Sequence, residues 1–486
     1  MFRMTESANS GRGDGSAGLS LDDITVVDPG TMKRAVAAAA IGNVTEWFDF
    51  GVYAYIATTI GKVFYPGSNA TVQMLAAFGT FAAAFVVRPL GGLFFGPLGD
   101  RIGRTRVLAV TMIMMAIGTF CIGVIPGYGS IGIAAPVFLL LARLVQGFST
   151  GGEYGGAMTF IAEYAPDRRR GFLGSWLEFG TLTGYVMGAG IVTILSATLS
   201  AQELLSWGWR IPFLIAGPLG IVGLYLRIKL EETPAFARLT EAAERAHAER
   251  AQAERSATAE EFRAIFLRQW PALLQCVGLV LVWNVTNYML TSYMPTYLST
   301  ELPARGGRAM GDTESYLLQI AVMLVMMAAV TFVGRASDRF GRKPVVMIGC
   351  VALVVLSIPS LLLIENSHTV PVFFGLLIMG LTLVIFSGSL PSTLPALFPT
   401  HIRQGSLSIA FNISVSLFGG TVATVMTALV SGTGELNWPA YYLMIAGVIG
   451  AVSLWFTRES ANRPLAGSAP AVESIEDARE LVNATR

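Results

Sequence analysis

About twelve stretches of this chain each approach the twenty or so consecutive apolar residues that carry a helix across a bilayer. They run over 36–59, 71–97, 107–125, 134–161, 171–196 and 210–228, then 270–298, 314–336, 344–364, 370–397, 404–430 and 439–457. A helix suits such a run because its backbone groups pair within the segment and none is left facing lipid. The rest of the composition agrees. Of the 486 residues 53% are hydrophobic and only 13% charged, against about 25% charged in a soluble domain. The expectation is an all-α polytopic membrane protein whose surface largely faces the lipid bilayer. A net charge of +1 offers no clustered basic face, so nucleic acid is not an expected partner. Cys121, Cys276 and Cys350 lie far apart in apolar runs and read as small core residues, not as a disulfide framework or metal site.

Residues 1–30 are polar and rich in Gly, Ser and Asp, with no apolar core of a signal peptide, and read as a disordered tail. Short loops set the orientation. One side collects Lys33, Arg34, Arg101, Arg104, Arg106, Arg168–Arg170, Arg335, Arg339, Arg342, Lys343, Arg403, Arg458 and Arg463, while the other keeps little beyond Arg210, Arg305 and Arg308. Both termini are therefore expected in the cytoplasm.

The spans fall into two sets of six, parted by a charged, Ala-rich stretch over 229–268 that reads as a water-exposed helical linker. Each set carries one signature after its second span: Gly96, Asp100, Arg101, Gly103, Arg104, and again Gly334, Asp338, Arg339, Gly341, Arg342. Two copies at matching places indicate two six-helix bundles related by a parallel repeat. The expected organisation is a tail over 1–30, bundles over 31–228 and 269–457 joined by the linker, and a tail over 458–486. The signature suits a hinge: glycines allow close packing and tight turns, and Asp beside Arg can tie neighbouring helix ends by charge-assisted hydrogen bonds. Glu163, Glu231, Glu232 and Arg168 to Arg170 read as members of the same gating network.

The doubled signature resembles that of the major facilitator superfamily. Further segments resemble its metabolite:proton symporters, in particular the osmoregulatory proline/glycine-betaine:proton symporters of bacteria: Gly42-Asn43 through Glu46-Trp47-Phe48-Asp49-Phe50-Gly51, Arg88-Pro89-Leu90-Gly91-Gly92, Gln146-Gly147-Phe148-Ser149 through Gly152-Glu153-Tyr154, and Leu394-Pro395-Ala396-Leu397-Phe398-Pro399-Thr400-His401-Ile402-Arg403. The resemblance implies two six-helix bundles with alternating access, in the bacterial cytoplasmic membrane. It also implies import of a compatible solute by proton symport, with the proton as coupling ion, no further cofactor, and a monomer sufficient for transport. Some members continue into a coiled coil that tunes osmotic activation. The 458–486 tail shows no sustained a/d heptads.

Ionisable groups within spans mark ion or substrate pathways. Glu46 and Asp49 share a face of the first span, Arg143 and Glu153 lie in the fourth and Glu178 in the fifth. From a rise of 1.5 Å per residue, Asp49 lies about 15 Å and Arg143 about 13 Å from the outer ends of their spans. In related sugar:proton members a carboxylate and an arginine at these positions form the proton-exchanging pair, so the resemblance implies Asp49 as carrier and Arg143 as its switchable partner, with Glu46 as an alternative carrier. A static buried ion pair is the competing structural role. For the solute, Trp47, Glu153, Tyr154, Trp283, Asn284, Asn287, Tyr288, Phe386 and Asn412 supply aromatic faces, amides and a carboxylate, and cation–π contact holds quaternary ammonium groups. Pro295 is expected to kink the seventh span.

Two enzyme-like patterns fail on context. Gly147-Phe148-Ser149-Thr150-Gly151 lies within a span, not at a strand-to-helix turn, and Gly127 to Gly132 sits in a short loop. His247, His368 and His401 fall in loops or at helix ends. No catalytic or metal-binding constellation emerges. The alternatives carried forward are a proton symporter of an organic acid, for which Arg143 and Arg88 are the basic candidates, and a non-transporting membrane sensor.

Overall fold

A computed structural model describes residues 19–67, 70–228, 269–304, 306–307, 310–366 and 368–485. The 229–268 linker, with Glu231, Glu232 and His247, lies outside the described residues, as do Arg305 and Arg308.

Among the described residues twelve long helices follow one another: α1 (Pro29–Tyr55), α2 (Ala70–Ile102), α3 (Arg104–Val124), α4 (Ala134–Tyr164), α5 (Arg170–Thr198), α6 (Ile211–Ile228), α7 (Trp270–Tyr288), α8 (Asp312–Phe340), α9 (Arg342–Ile364), α10 (Thr369–Thr393), α11 (Arg403–Ser414, continued through a π-helical turn at Val415–Gly419 into Val422–Thr433) and α12 (Trp438–Trp455). Ten described helices are long and apolar enough to cross a membrane. α1 falls short in apolarity because it carries Asn43, Glu46 and Asp49, all of which it buries against its neighbours. Lipid-facing stripes run down the outside, as at Val86, Leu90 and Phe94 of α2, which are 71%, 57% and 57% exposed at helical spacing.

Local chemistry sets several ends. Asp28 caps α1 by accepting from the Thr31 amide at 2.6 Å, with Pro29 at the first helical position. Gly103 and Gly341 turn the chain between α2 and α3 and between α8 and α9 with φ of 103° and 96°, values that a side chain disfavours. α7 does not kink at Pro295 alone: it loosens into π-helical turns at Met289–Tyr293 and Tyr297–Glu301, on either side of Met294–Thr296.

Within the first six helices α1 packs on α5 and α2 on α4; within the second six α9 packs on α10 and α12. The two sets meet along α2 against α11 and α5 against α8. Small residues let these backbones approach. A Cβ on Gly147 of α4 would fall on the Ala84 carbonyl of α2, leaving no room for a methyl group. Gly147→Val is therefore expected to cut the monodisperse yield in detergent to under about a tenth, through overpacking against fixed backbone. Size-exclusion chromatography reads the result.

The described end of the segment expected to be disordered, and the tail over 458–485, are built into the fold. Thr25–Val26 (β1) pairs in parallel with Ala471–Val472 (β2), and Ile24 packs with Ala478 and Val482 of α13 (Ile475–Thr485). Their few apolar residues are buried against one another, which average polarity conceals. This assembly lies at the end of the bundle that carries the doubled signature, hereafter the motif end.

Candidate functional site

Midway along the bundle, α1 presents two carboxylates a turn apart, and each meets an arginine. Arg143 Nη1 of α4 lies 3.5 Å from Asp49 Oδ2, with both side chains at most 1% exposed. Gln146 bridges them: its Nε2 donates to Asp49 Oδ2 at 2.5 Å and to Thr119 Oγ1 of α3 at 2.7 Å, while its Oε1 accepts from Arg143 at 3.0 Å. The Arg143 guanidinium sits 3.6 Å from the ring centre of Tyr53. Asp49 Oδ1 and Arg143 Nε and Nη2 are buried without a hydrogen bond among the described residues. A buried pair left partly unsatisfied recovers little of its desolvation cost, which suits a contact that opens and closes.

The second pair was legible only as separate residues. Arg88 Nη2 of α2 donates to Glu46 Oε1 at 3.1 Å, and both side chains are fully buried. Counting along the helices matches the two in height, since Arg88 and Glu46 each lie about 20–25 Å from the motif end of their helices, but not in the direction they face.

Beside these pairs, aromatic rings from both halves meet. Trp47 lies 5.2 Å from Tyr185, 6.3 Å from Tyr154 and 6.5 Å from Tyr288 between ring centres. Tyr154 stacks on Phe411 at 4.7 Å and lies 6.0 Å from Trp283, whose Nε1 donates to Ser387 at 3.0 Å. The Tyr154 hydroxyl donates to Glu178, which also accepts from Thr181 at 3.0 Å. Glu178 thus joins the cluster. Tyr185, Phe411 and Phe85 were missed, because a single aromatic in an apolar helix carries no local sign of which way it faces.

The other candidates make different contacts. Phe386 turns its ring into α9 at Gly349, and it is the next residue, Ser387, that reaches Trp283; one step of a helix rotates the direction by 100°. Asn284 returns its amide to the Val280 carbonyl of its own helix at 2.9 Å. Asn412 ties the halves together, donating to the Gly151 carbonyl of α4 at 2.6 Å. Asn287 is half-buried, its carbonyl accepting from Thr291 at 2.8 Å. Glu153 is buried on α4, and the ring contacts run through its neighbour Tyr154.

At the motif end the two signature aspartates act symmetrically. Asp100 accepts from the amides of Gln404 at 3.3 Å and Gly405 at 2.7 Å, at the start of α11. Asp338 accepts from those of Gly171 at 2.7 Å and Phe172 at 2.8 Å, at the start of α5. Each carboxylate thus caps a helix N-terminus of the opposite half, where free N–H groups and the helix dipole favour negative charge. These caps add backbone partners to the Asp–Arg ties expected of the signature. Arg342 approaches Asp338 at 3.7 Å; Arg101 and Arg339 lie at the exposed surface, and the Arg104 side chain is outside the described part. Gly96 and Gly334 sit where a Cβ would crowd α11 at Gly405 and α5 at Gly171. Glu163 of α4 accepts from Arg403 of α11 at 2.7 Å, fully buried. Arg168 is exposed; its neighbour Arg170 is the buried one, paired with Asp167 at 2.5 Å.

Residues 458–473 cross this end. Arg403 Nη2 donates to the Ala466 carbonyl at 2.8 Å, the Ala471 amide to Asp167 at 3.2 Å, and Arg169 pairs with Glu473 at 3.0 Å. Glu459 accepts from the amides of Arg342 and Lys343 at the start of α9. Burial pushes its carboxyl up, and backbone hydrogen bonds led by those of Ala461 and Lys343 together outweigh it, leaving it below the ordinary value.

A family model described as sugar (and other) transporter matches residues 35–470. The chain is 50% identical over 464 residues to a glycine betaine/proline/ectoine/pipecolic acid transporter of Dickeya dadantii, covering 96% of this chain and 91% of that protein. It is 49% identical, with the same coverage, to a proline/betaine transporter of Escherichia coli. Among solved structures, the proton:xylose symporter of the major facilitator superfamily, bound to 6-bromo-6-deoxy-D-glucose, matches with a TM-score of 0.75 at 17% identity, covering 90% of this chain and 98% of that one. At that identity the likeness concerns the fold.

Proposed function

This chain belongs to the sugar (and other) transporter family of the major facilitator superfamily, and from that premise we propose that it imports a small zwitterion such as proline or glycine betaine by proton symport. The observation that carries the reading is the aromatic cluster shared by both halves, set beside two buried acid–base pairs. Aromatic faces hold quaternary and secondary ammonium groups at about 0.5–2 kcal/mol each, and buried carboxylates whose partners can move away are suited to carry protons. Asp49 is the proton carrier and Arg143 its partner. The motif end, with both termini, faces the cytoplasm of a bacterium. In this reading a monomer is sufficient for transport.

The test is uptake of labelled glycine betaine and proline into proteoliposomes, with and without an inward proton gradient, across a range of external osmolality. The expected outcome is gradient-driven accumulation that rises with osmolality. Proton-coupled entry of an organic acid, with neither zwitterion taken up, would overturn the solute while leaving the fold untouched.

A further inference from the structure

We infer that Glu46 and Arg88 form a clamp into which the zwitterion inserts, its carboxylate on Arg88 and its cationic group against Glu46 and the neighbouring rings. The inference rests on the zwitterion reading above and specifies how that class is chosen.

Arg88 offers five N–H donors in one plane. Its Nη2 meets Glu46 at 3.1 Å, while Nε and Nη1 are buried and make no hydrogen bond among the described residues. Rings flank the guanidinium, with Phe50 and Phe85 centred 5.5 Å and 5.6 Å away. Nearby, Trp47 Nε1 and the Tyr288 hydroxyl are likewise buried without a partner among the described residues, and their rings lie 6.5 Å apart. Buried donors left without hydrogen bonds are destabilising until a ligand supplies the acceptors. A surplus of donors beside one arginine fits a carboxylate, which accepts at about four sites.

Charge decides what can enter. A zwitterion placed between Glu46 and Arg88 gives each buried charge an opposite neighbour. An anion on Arg88 strips Glu46 of its compensation, and a cation on Glu46 does the same to Arg88, each leaving an uncompensated buried charge. The Asp49–Arg143 pair is closed to such insertion, because Gln146 already bridges it and Tyr53 covers the guanidinium.

The test is equilibrium binding to the purified full chain of three probes: glycine betaine, choline, which keeps the cation without the carboxylate, and 3,3-dimethylbutyrate, which keeps the carboxylate with carbon in place of the cationic nitrogen. Glu46→Gln is expected to improve 3,3-dimethylbutyrate relative to glycine betaine by about tenfold or more, and Arg88→Gln to do the same for choline, since each removes the charge that its mismatched probe would strand. Ratios taken within one variant are independent of the fraction that folds. If the wild type binds glycine betaine and either ratio stays within about twofold of wild type, the clamp is overturned and the transport reading stands. If the wild type binds no zwitterion, the transport reading falls and the clamp with it.

Discussion

Asp49→Asn is expected to abolish proton-driven accumulation while leaving exchange of labelled for unlabelled solute intact. One proton moving down a gradient of about two pH units supplies about 2.7 kcal/mol, enough for about 100-fold accumulation. Without a carrier the ratio should fall to about one. The substitution is nearly isosteric, and an asparagine oxygen can still accept from Gln146 where Asp49 now does at 2.5 Å, so the pocket should survive. Exchange needs only alternating access of the loaded carrier and requires no net proton movement. Side-by-side measurement of accumulation and counterflow in proteoliposomes checks the point. Accumulation that persists in the variant would remove Asp49 as carrier and move the proton to Glu46 or Glu153; loss of both activities would mean that the residue holds the bundle together, the structural role weighed above for a buried pair.

Glu163→Gln is expected to open the motif end. The pair it breaks, Glu163 with Arg403 at 2.7 Å, joins α4 of one half to α11 of the other with both side chains fully buried. Removing one member of a buried pair costs about 3–5 kcal/mol. Where that cost falls only on the closed arrangement, the equilibrium moves toward the open one by about 100-fold or more. Ser408 of α11 is fully buried at this contact, facing Gly155 of α4. A cysteine there, with Cys121, Cys276 and Cys350 replaced by serine, should react with an impermeant maleimide at least about 100-fold faster in the Glu163→Gln background. The exchanged pair Glu163→Arg with Arg403→Glu should restore slow labelling. Equal rates with and without Glu163 would show that the aspartate caps at Asp100 and Asp338 hold this end without it.

Much of the architecture is local information. Hydropathy over twenty residues depends on the residues themselves, so the spans and their division into two sets were legible before any contact was known. The doubled signature was equally plain, since Gly103 and Gly341 recur where a turn needs positive φ. Even depth could be counted along a helix, which is why Asp49 and Arg143 were matched in height. The polar N-terminus misled for the same reason in reverse: averaged over thirty residues, Ile24 and Val27 vanish into a hydrophilic stretch.

Partnership is not local. Whether Glu46 faces Arg88, whether Phe386 or Ser387 meets Trp283, and whether Asp100 reaches a helix N-terminus of the other half all depend on helix rotation and tilt. Those are set where backbones touch, as at Gly147 on Ala84, and a rotation of 100° exchanges one residue for its neighbour. By itself, the amino-acid order determined that this protein is a doubled bundle of membrane helices with charges at mid-depth. Only the tertiary structure decided which charges pair and which rings gather between the halves, because those contacts join residues tens to hundreds of positions apart whose meeting no sequence window contains.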